Sequence, residues 1–271
     1  MKSLLAGRSP NSRQSALNFY RDVLEGLNDR GISYLVGGGH ALEKYSGVLR
    51  ETKDLDLFMR RADALDILKS LSTRGYRTEL CFPHWLGKII DGKHFVDVIF
   101  NSGNGVCTVD DGWFDHRVAG EILGVQIDFC PPEELIWSKA FVMERERYDG
   151  ADIAHIIRAR GSQLDWQRLL GRFEAHWHVL LSHLILFDFV YPTERALAVP
   201  SWVTRELLDR WQAEKKEPVM QNRACRGTLL SRAQYRFDVE NWGYQDARQV
   251  PSGTMTAEQA ANWTAAGDAP E

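Results

Sequence analysis

The sequence predicts an α+β fold whose first half mixes helices and strands and whose second half is an α-helical C-terminal domain. Three observations carry this. Helical and strand-like apolar patterns alternate up to about residue 130. Cys130-Pro131-Pro132 then marks a boundary, because two prolines end a strand pattern. Beyond it the chain reads almost wholly helical. The expected domains are residues 13–131, a helical domain at 132–245 and a tail at 246–271 that is largely disordered or loosely helical.

The elements follow in order. Leu17, Tyr20, Leu24 and Leu27 recur at three- and four-residue spacing, which predicts a helix over 13–30 that Gly31 ends. A short strand at 32–36 breaks at Gly37, and a second helix begins near His40 and runs through Ala41, Leu42 and Tyr45. A strand carrying Asp54 and Asp56 comes next, then a helix over 60–74 closed by Gly75. Residues 76–82 read as a strand stopped by Pro83. Segments 85–90 and 94–100 read as a hairpin across Asp91-Gly92, a strong turn signal. A third arm covers 122–129. Helices are expected over 133–160 (one or two), 164–190, 200–212 and 232–241. The tail is rich in Ala, Thr, Gly and Pro and has little that forms a core.

Bulk composition narrows the classes. The 271 residues are 44% hydrophobic and 26% charged, an ordinary globular balance. With 33 basic against 37 acidic residues the net charge is −4, which argues against a general polyanion binder but leaves room for a local basic groove. Cys81, Cys107, Cys130 and Cys225 are scattered without zinc-site spacing and read as reduced thiols of a cytosolic protein. Residues 1–13 lack the apolar stretch of a signal peptide or membrane span. The apolar run 179–191 is short and interrupted by His183 and Asp188, so it reads as a core helix. His176 and His178 point to different sides of that helical region and read as packing residues, not a metal pair.

Asp54 and Asp56 are the most informative residues. Two apart on a strand, they share a face, while Leu55 and Leu57 point to a core. Neighbouring carboxylates repel unless a cation lies between them, and a hard ion such as Mg²⁺ prefers such oxygens. Alone, the pair reads as two surface acids on a half-exposed strand, and its neighbours change that reading. Asp97 adds a third acid inside the apolar strand His94–Phe100, costly there unless paired or metal-bound. Gly37, Gly38 and Gly39 leave a strand and enter a helix, a place where phosphate binds to backbone N–H groups. His40 could contact phosphate or base. Lys53 could meet a phosphate or remain a surface lysine, and Arg50 is a weaker candidate of that type.

This order resembles the nucleotidyltransferase superfamily with the DNA-polymerase-β-like fold: a glycine turn, a short helix, an Asp-x-Asp strand and a later single Asp. The matching residues are Gly37, Gly38, Asp54, Asp56 and Asp97, within roughly residues 30–130. Two bacterial branches look most similar, the aminoglycoside adenylyltransferases and the toxins of type IV abortive-infection systems. The resemblance implies a nucleotidyltransferase-like mixed sheet flanked by helices, with a helical C-terminal domain. It implies an Mg²⁺-dependent enzyme, with two ions held by Asp54, Asp56 and Asp97, that moves a nucleoside monophosphate from a nucleoside triphosphate, ATP among them, to an acceptor hydroxyl. The toxin pattern also resembles Pro132-Glu133-Glu134-Leu135-Ile136 with Lys139, and Asp149 and Asp152 three apart, although Tyr148 separates Arg147 from Asp149 where the toxins have an adjacent pair. By that resemblance Lys139 would touch phosphates. The acceptor stays open between an RNA end, a small molecule and a protein hydroxyl. A non-catalytic module of the same fold, or a toxin with an antitoxin-like partner, are the alternatives. No membrane partner is expected.

Overall fold

The computed structural model describes residues 10–49, 54–73, 75–217 and 223–267. The chain divides into two units, residues 1–131 and 132–271.

The first unit contains α1 (Pro10–Asn28), β1 (Leu35–Val36), α2 (Gly38–Ser46), β2 (Leu55–Phe58), α3 (Arg61–Ser72), β3 (Arg77–Phe82), β4 (Leu86–Asp91), β5 (His94–Ile99), α4 (Asp111–Asp115), β6 (Val118–Ile122) and β7 (Val125–Phe129). Its seven strands form one sheet in the order β3-β4-β5-β2-β1-β7-β6. β2 runs parallel to β5 and β1 parallel to β7, while the other neighbours are antiparallel, so the sheet is mixed. One face of the central strands is a core of Leu55, Leu57, Ile89, Val96 and Val98, each at most 1% exposed. The period-two alternation of a strand with one buried face produces this separation. On α1, Ala16, Tyr20, Val23, Leu24 and Leu27 are buried at helical spacing, and the helix packs on β5 and β7. The mixed sheet flanked by helices is the architecture the sequence predicts.

Several bounds differ. The strand expected at 32–36 pairs only over Leu35–Val36, because Gly37 turns the chain out of the sheet. Asp54 stands at a bend just ahead of β2 instead of inside it. The arm expected at 122–129 is two strands, with Leu123 and Gly124 both at positive φ in the turn between them. β6, Val-Ala-Gly-Glu-Ile, has too few large apolar residues to show a period by itself. Arg74 lies outside the described residues.

The second unit holds α5 (Pro132–Ala140), α6 (Gly150–Arg160), α7 (Trp166–Phe173), α8 (Trp177–Val190), α9 (Arg195–Ala198), α10 (Ser201–Glu214), a two-stranded pairing of β8 (Ala224–Cys225) with β9 (Gln245–Asp246), α11 (Arg236–Asn241) and α12 (Ala257–Ala265). The stretch 133–160 is thus two helices. Between them Met143 bonds Leu230 through its N–H, and Glu144 accepts from Ser231 and from the N–H of Arg232, contacts a continuous helix would forbid. α7 and α8 are separated at Glu174, which has φ +39. The start of α5 is anchored by ions: Glu134, fully buried, accepts from Arg172 at 2.9 Å and from Arg168, which also binds Glu133. Among the described residues no helix is long and apolar enough to cross a membrane.

The tail departs from the disordered or loosely helical expectation as far as residue 267. Thr256 and Gln259 form a reciprocal capping box at the start of α12, and Met255 and Ala260 are each 1% exposed. Arg248 bonds Asp246 and, at 3.0 Å, Thr264, which ties α12 to β9. Thr256-x-x-Gln259 is a capping-box signature, and it is the signal that the sequence offers for this helix.

Candidate active site

The site in the first unit begins at the glycine turn. Gly37 leaves β1 and donates its N–H to the carbonyl of Asp56 at 3.0 Å, so the turn is stitched to the acid strand. A Cβ on Gly37 would lie 2.1 Å from the Phe58 ring, and one on Gly38 would lie 1.6 Å from Oδ2 of Asp56. Gly38 also has φ +52. The first turn of α2, Gly38, Gly39 and His40, therefore sits against the Asp56 carboxylate. First-turn N–H groups have no intrahelical acceptor, and a helix start carries partial positive charge, so this end of α2 favours an anion.

Strand register assembles the rest. Asp56 of β2 is opposite Asp97 of β5, and Asp97 is opposite Lys88 of β4. Residues opposite each other share a face, so Lys88, Asp97 and Asp56 form one row across three strands. Glu79 of β3 extends the row beyond Lys88. The Lys88 ammonium is 2.7 Å from Oδ1 of Asp97 and 3.8 Å from the centroid of the Phe95 ring. Burial pushes the Asp97 carboxyl above the ordinary carboxylate range. The hydrogen bond and charge of Lys88 oppose that rise, and the charge of Asp54 adds to it.

His40 is 8% exposed, and burial lowers its imidazole pKa to about 4. It is uncharged at neutral pH and offers no cation to a phosphate, and its Nε2 has no hydrogen-bond partner among the described residues. Lys53 and Arg50 lie outside the described residues. In the helical unit Lys139 is buried, 2.8 Å from Asp152 and 3.0 Å from Asp149. Arg147 makes two bonds of 3.0 Å to Asp149. Burial alone would raise Asp149, but Arg147 and Lys139 hold its carboxyl below the usual range. The structure thus brings Lys139, Asp149 and Asp152 into one cluster.

Lys88 is the residue that sequence reasoning missed. The hairpin is legible in the sequence and its register follows from its turn: Asp91 pairs His94, and three steps back on each arm Lys88 meets Asp97.

The donor set of Asp54, Asp56 and Asp97 is all carboxylate oxygen, which suits a hard divalent cation. Burial raises the Asp97 carboxyl even with Lys88 on it, and the charge of Asp54 adds to the rise, so a further cation there would favour the carboxylate. Among the described residues no three His, Cys, Asp or Glu side chains are gathered into a ready-made metal group. The described cation on Asp97 is the Lys88 ammonium.

Residues 20–119 match a family model described as aminoglycoside-2''-adenylyltransferase. No curated protein matches the chain. Among solved structures, the solution structure of the antibiotic-resistance factor ANT(2'')-Ia aligns at 20% identity and TM-score 0.39, covering 63% of this chain and 97% of that one. The lincomycin-bound lincosamide adenylyltransferase LnuA aligns at 17% identity and TM-score 0.36, covering 52% and 94%. The Megavirus polyadenylate synthase aligns at 13% identity and TM-score 0.37, covering 76% and 50%. The resemblance to nucleotidyltransferases is borne out by the family match: over residues 20–119, a span that includes Gly37, Gly38, Asp54, Asp56 and Asp97, this chain is similar to a family described as aminoglycoside-2''-adenylyltransferase.

Proposed function

We propose that the chain is an Mg²⁺-dependent nucleotidyltransferase that moves a nucleoside monophosphate from a nucleoside triphosphate to a hydroxyl of a small molecule and releases pyrophosphate. The observation that carries this is the row of Asp56 and Asp97 with the glycine start of α2 set against Asp56. The family match supports ATP as the donor and an aminoglycoside-like acceptor. An RNA acceptor and an antitoxin partner draw no support from it.

The roles follow from the chemistry of each group. Asp54, Asp56 and Asp97 are the residues that would hold the divalent ions. Bound Mg²⁺ would offset phosphate charge and make the acceptor hydroxyl easier to deprotonate. Gly38 and Gly39, which carry no side chains of their own, would offer the backbone N–H groups of the helix start to the triphosphate. Asp97, with its carboxyl raised by burial, is the group suited to take the acceptor proton. His40, buried and uncharged at neutral pH, leaves the anion to the backbone. Lys53 is the candidate phosphate contact from outside this row, while Lys139 of the helical unit is held by Asp149 and Asp152.

The test uses α-labelled ATP, Mg²⁺ and a panel of aminoglycosides. A labelled small molecule and released pyrophosphate are expected, with label transfer abolished in Asp56→Asn and in Asp97→Asn. Undiminished transfer by either variant refutes the assignment. Metal-dependent ATP binding without transfer to any acceptor would favour a non-catalytic nucleotide-binding module.

A further inference from the structure

We infer that Lys88 is a built-in counter-ion of the acid cluster, which competes with a divalent cation for Asp97 and must release that carboxylate before metal occupies it. The inference rests on the reading of Asp97 as a metal-holding residue and names a further positioning residue for that site.

The geometry is specific. Lys88 is opposite Asp97 in the β4–β5 register, so its stem leaves the sheet on the face that bears Asp97 and Asp56. Its ammonium is 2.7 Å from Oδ1 of Asp97, and the two side chains are only 26% and 14% exposed. It lies over the face of Phe95, 3.8 Å from the centroid, a second attraction that holds the ammonium in place. A pair so sheltered is screened less by water and salt than a surface pair. Two ligands then compete for one carboxylate oxygen: an ammonium tethered to the sheet and a free divalent ion. A divalent cation on Asp97 also faces the positive charge of Lys88 across the same row. Both effects weaken metal binding to the protein without nucleotide. The flexible four-carbon stem lets the ammonium leave Asp97 without moving the strand. Once released, the ammonium stays on the face where a triphosphate brings its negative charge.

The experiment measures Mn²⁺ binding to the full chain without nucleotide, by the loss of the free-ion electron paramagnetic resonance signal at pH 8. Lys88→Met removes the competitor, and its dissociation constant should fall by roughly three- to tenfold, the size of a partly buried ion-pair effect. Lys88→Arg keeps the charge and should bind as the wild type does. If Lys88→Met fails to give a cooperative melt, Lys88→Gln carries the same measurement. An unchanged or weaker Mn²⁺ affinity in the neutral variant overturns the inference, as that outcome marks a lysine serving only the fold. Asp97→Asn separates the two readings. If it binds Mn²⁺ as tightly as the wild type, the assignment of Asp97 to the metal fails. If it loses affinity while the neutral Lys88 variant is unchanged, only the role given to Lys88 fails.

Discussion

Substituting Gly38 by alanine tests the link between the glycine turn and the acid strand. Two costs add at this position. The first is backbone strain, since φ +52 is a left-handed conformation that costs an L side chain about 1–2 kcal/mol. The second is steric. The new Cβ would lie 1.6 Å from Oδ2 of Asp56, where real Cβ contacts stay beyond 3.0 Å. Asp56 or the start of α2 must therefore yield by about 1.4 Å, the difference between 3.0 and 1.6 Å. Gly92→Ala separates the two costs. Gly92 has φ +58, and a Cβ added there would meet nothing within 4 Å, so this position bears the strain alone. Thermal melting should show Gly92→Ala lowered by about 2–4 °C per kcal/mol of strain, and Gly38→Ala lowered further. Label transfer should be near wild type for Gly92→Ala. It should fall by about 10²-fold or more for Gly38→Ala, the cost of displacing a reacting group by about 1 Å. Wild-type transfer by Gly38→Ala, with a melting shift no larger than that of Gly92→Ala, would refute the reasoning.

Two further outcomes follow from the burial of charge. His40 has a folded pKa lowered to about 4 against an unfolded value near 6.5, so the unfolded chain binds the extra proton between those values. Its contribution to stability is present above pH 6.5 and is lost as pH falls toward 4. About 2 kcal/mol should disappear between about pH 7 and about pH 5 in urea titrations, and His40→Phe should remove that part of the slope. In the helical unit, Arg168→Ala leaves the buried Glu133 and Glu134 short of a partner and should cost about 3–5 kcal/mol by the same measurement, whereas loss of transfer without loss of stability would point to a role beyond the fold.

How much of this is legible in the sequence depends on whether the controlling physics is local. The buried Leu55 and Leu57 of β2 and the apolar spacing of α1 report burial directly, so the strand and the helix can be read, although Asp54 stands at a bend ahead of that strand. Gly37 and Gly38 also announce themselves, though the reason for each (the Phe58 ring and the Asp56 carboxylate) is a contact across strands that no local pattern encodes. Lys88 is hidden differently. Its partner lies across a hairpin, and only a count from the turn reveals it. The sequence leaves residues 133–160 open between one helix and two and does not place the break, because Glu144 finds its partners 87 and 88 residues away. Composition misleads in the tail, where one capping motif outweighs the small size of the residues.

The pairing of β4 with β5 has a consequence for how the charged row endures mutation. Every second residue of β4 is fixed to the opposite face by bulk. Ile89 faces Val96 in the core, and Gly87 leaves the space into which Leu68 of α3 projects, where a Cβ would meet Leu68 at 2.4 Å. A slip of one residue would drive the Lys88 stem toward α3 and set Gly87 or Ile89 opposite Asp97. The apolar side of the sheet therefore acts as a ruler for the polar side: oil-like residues on one face decide which charge stands across from which on the other.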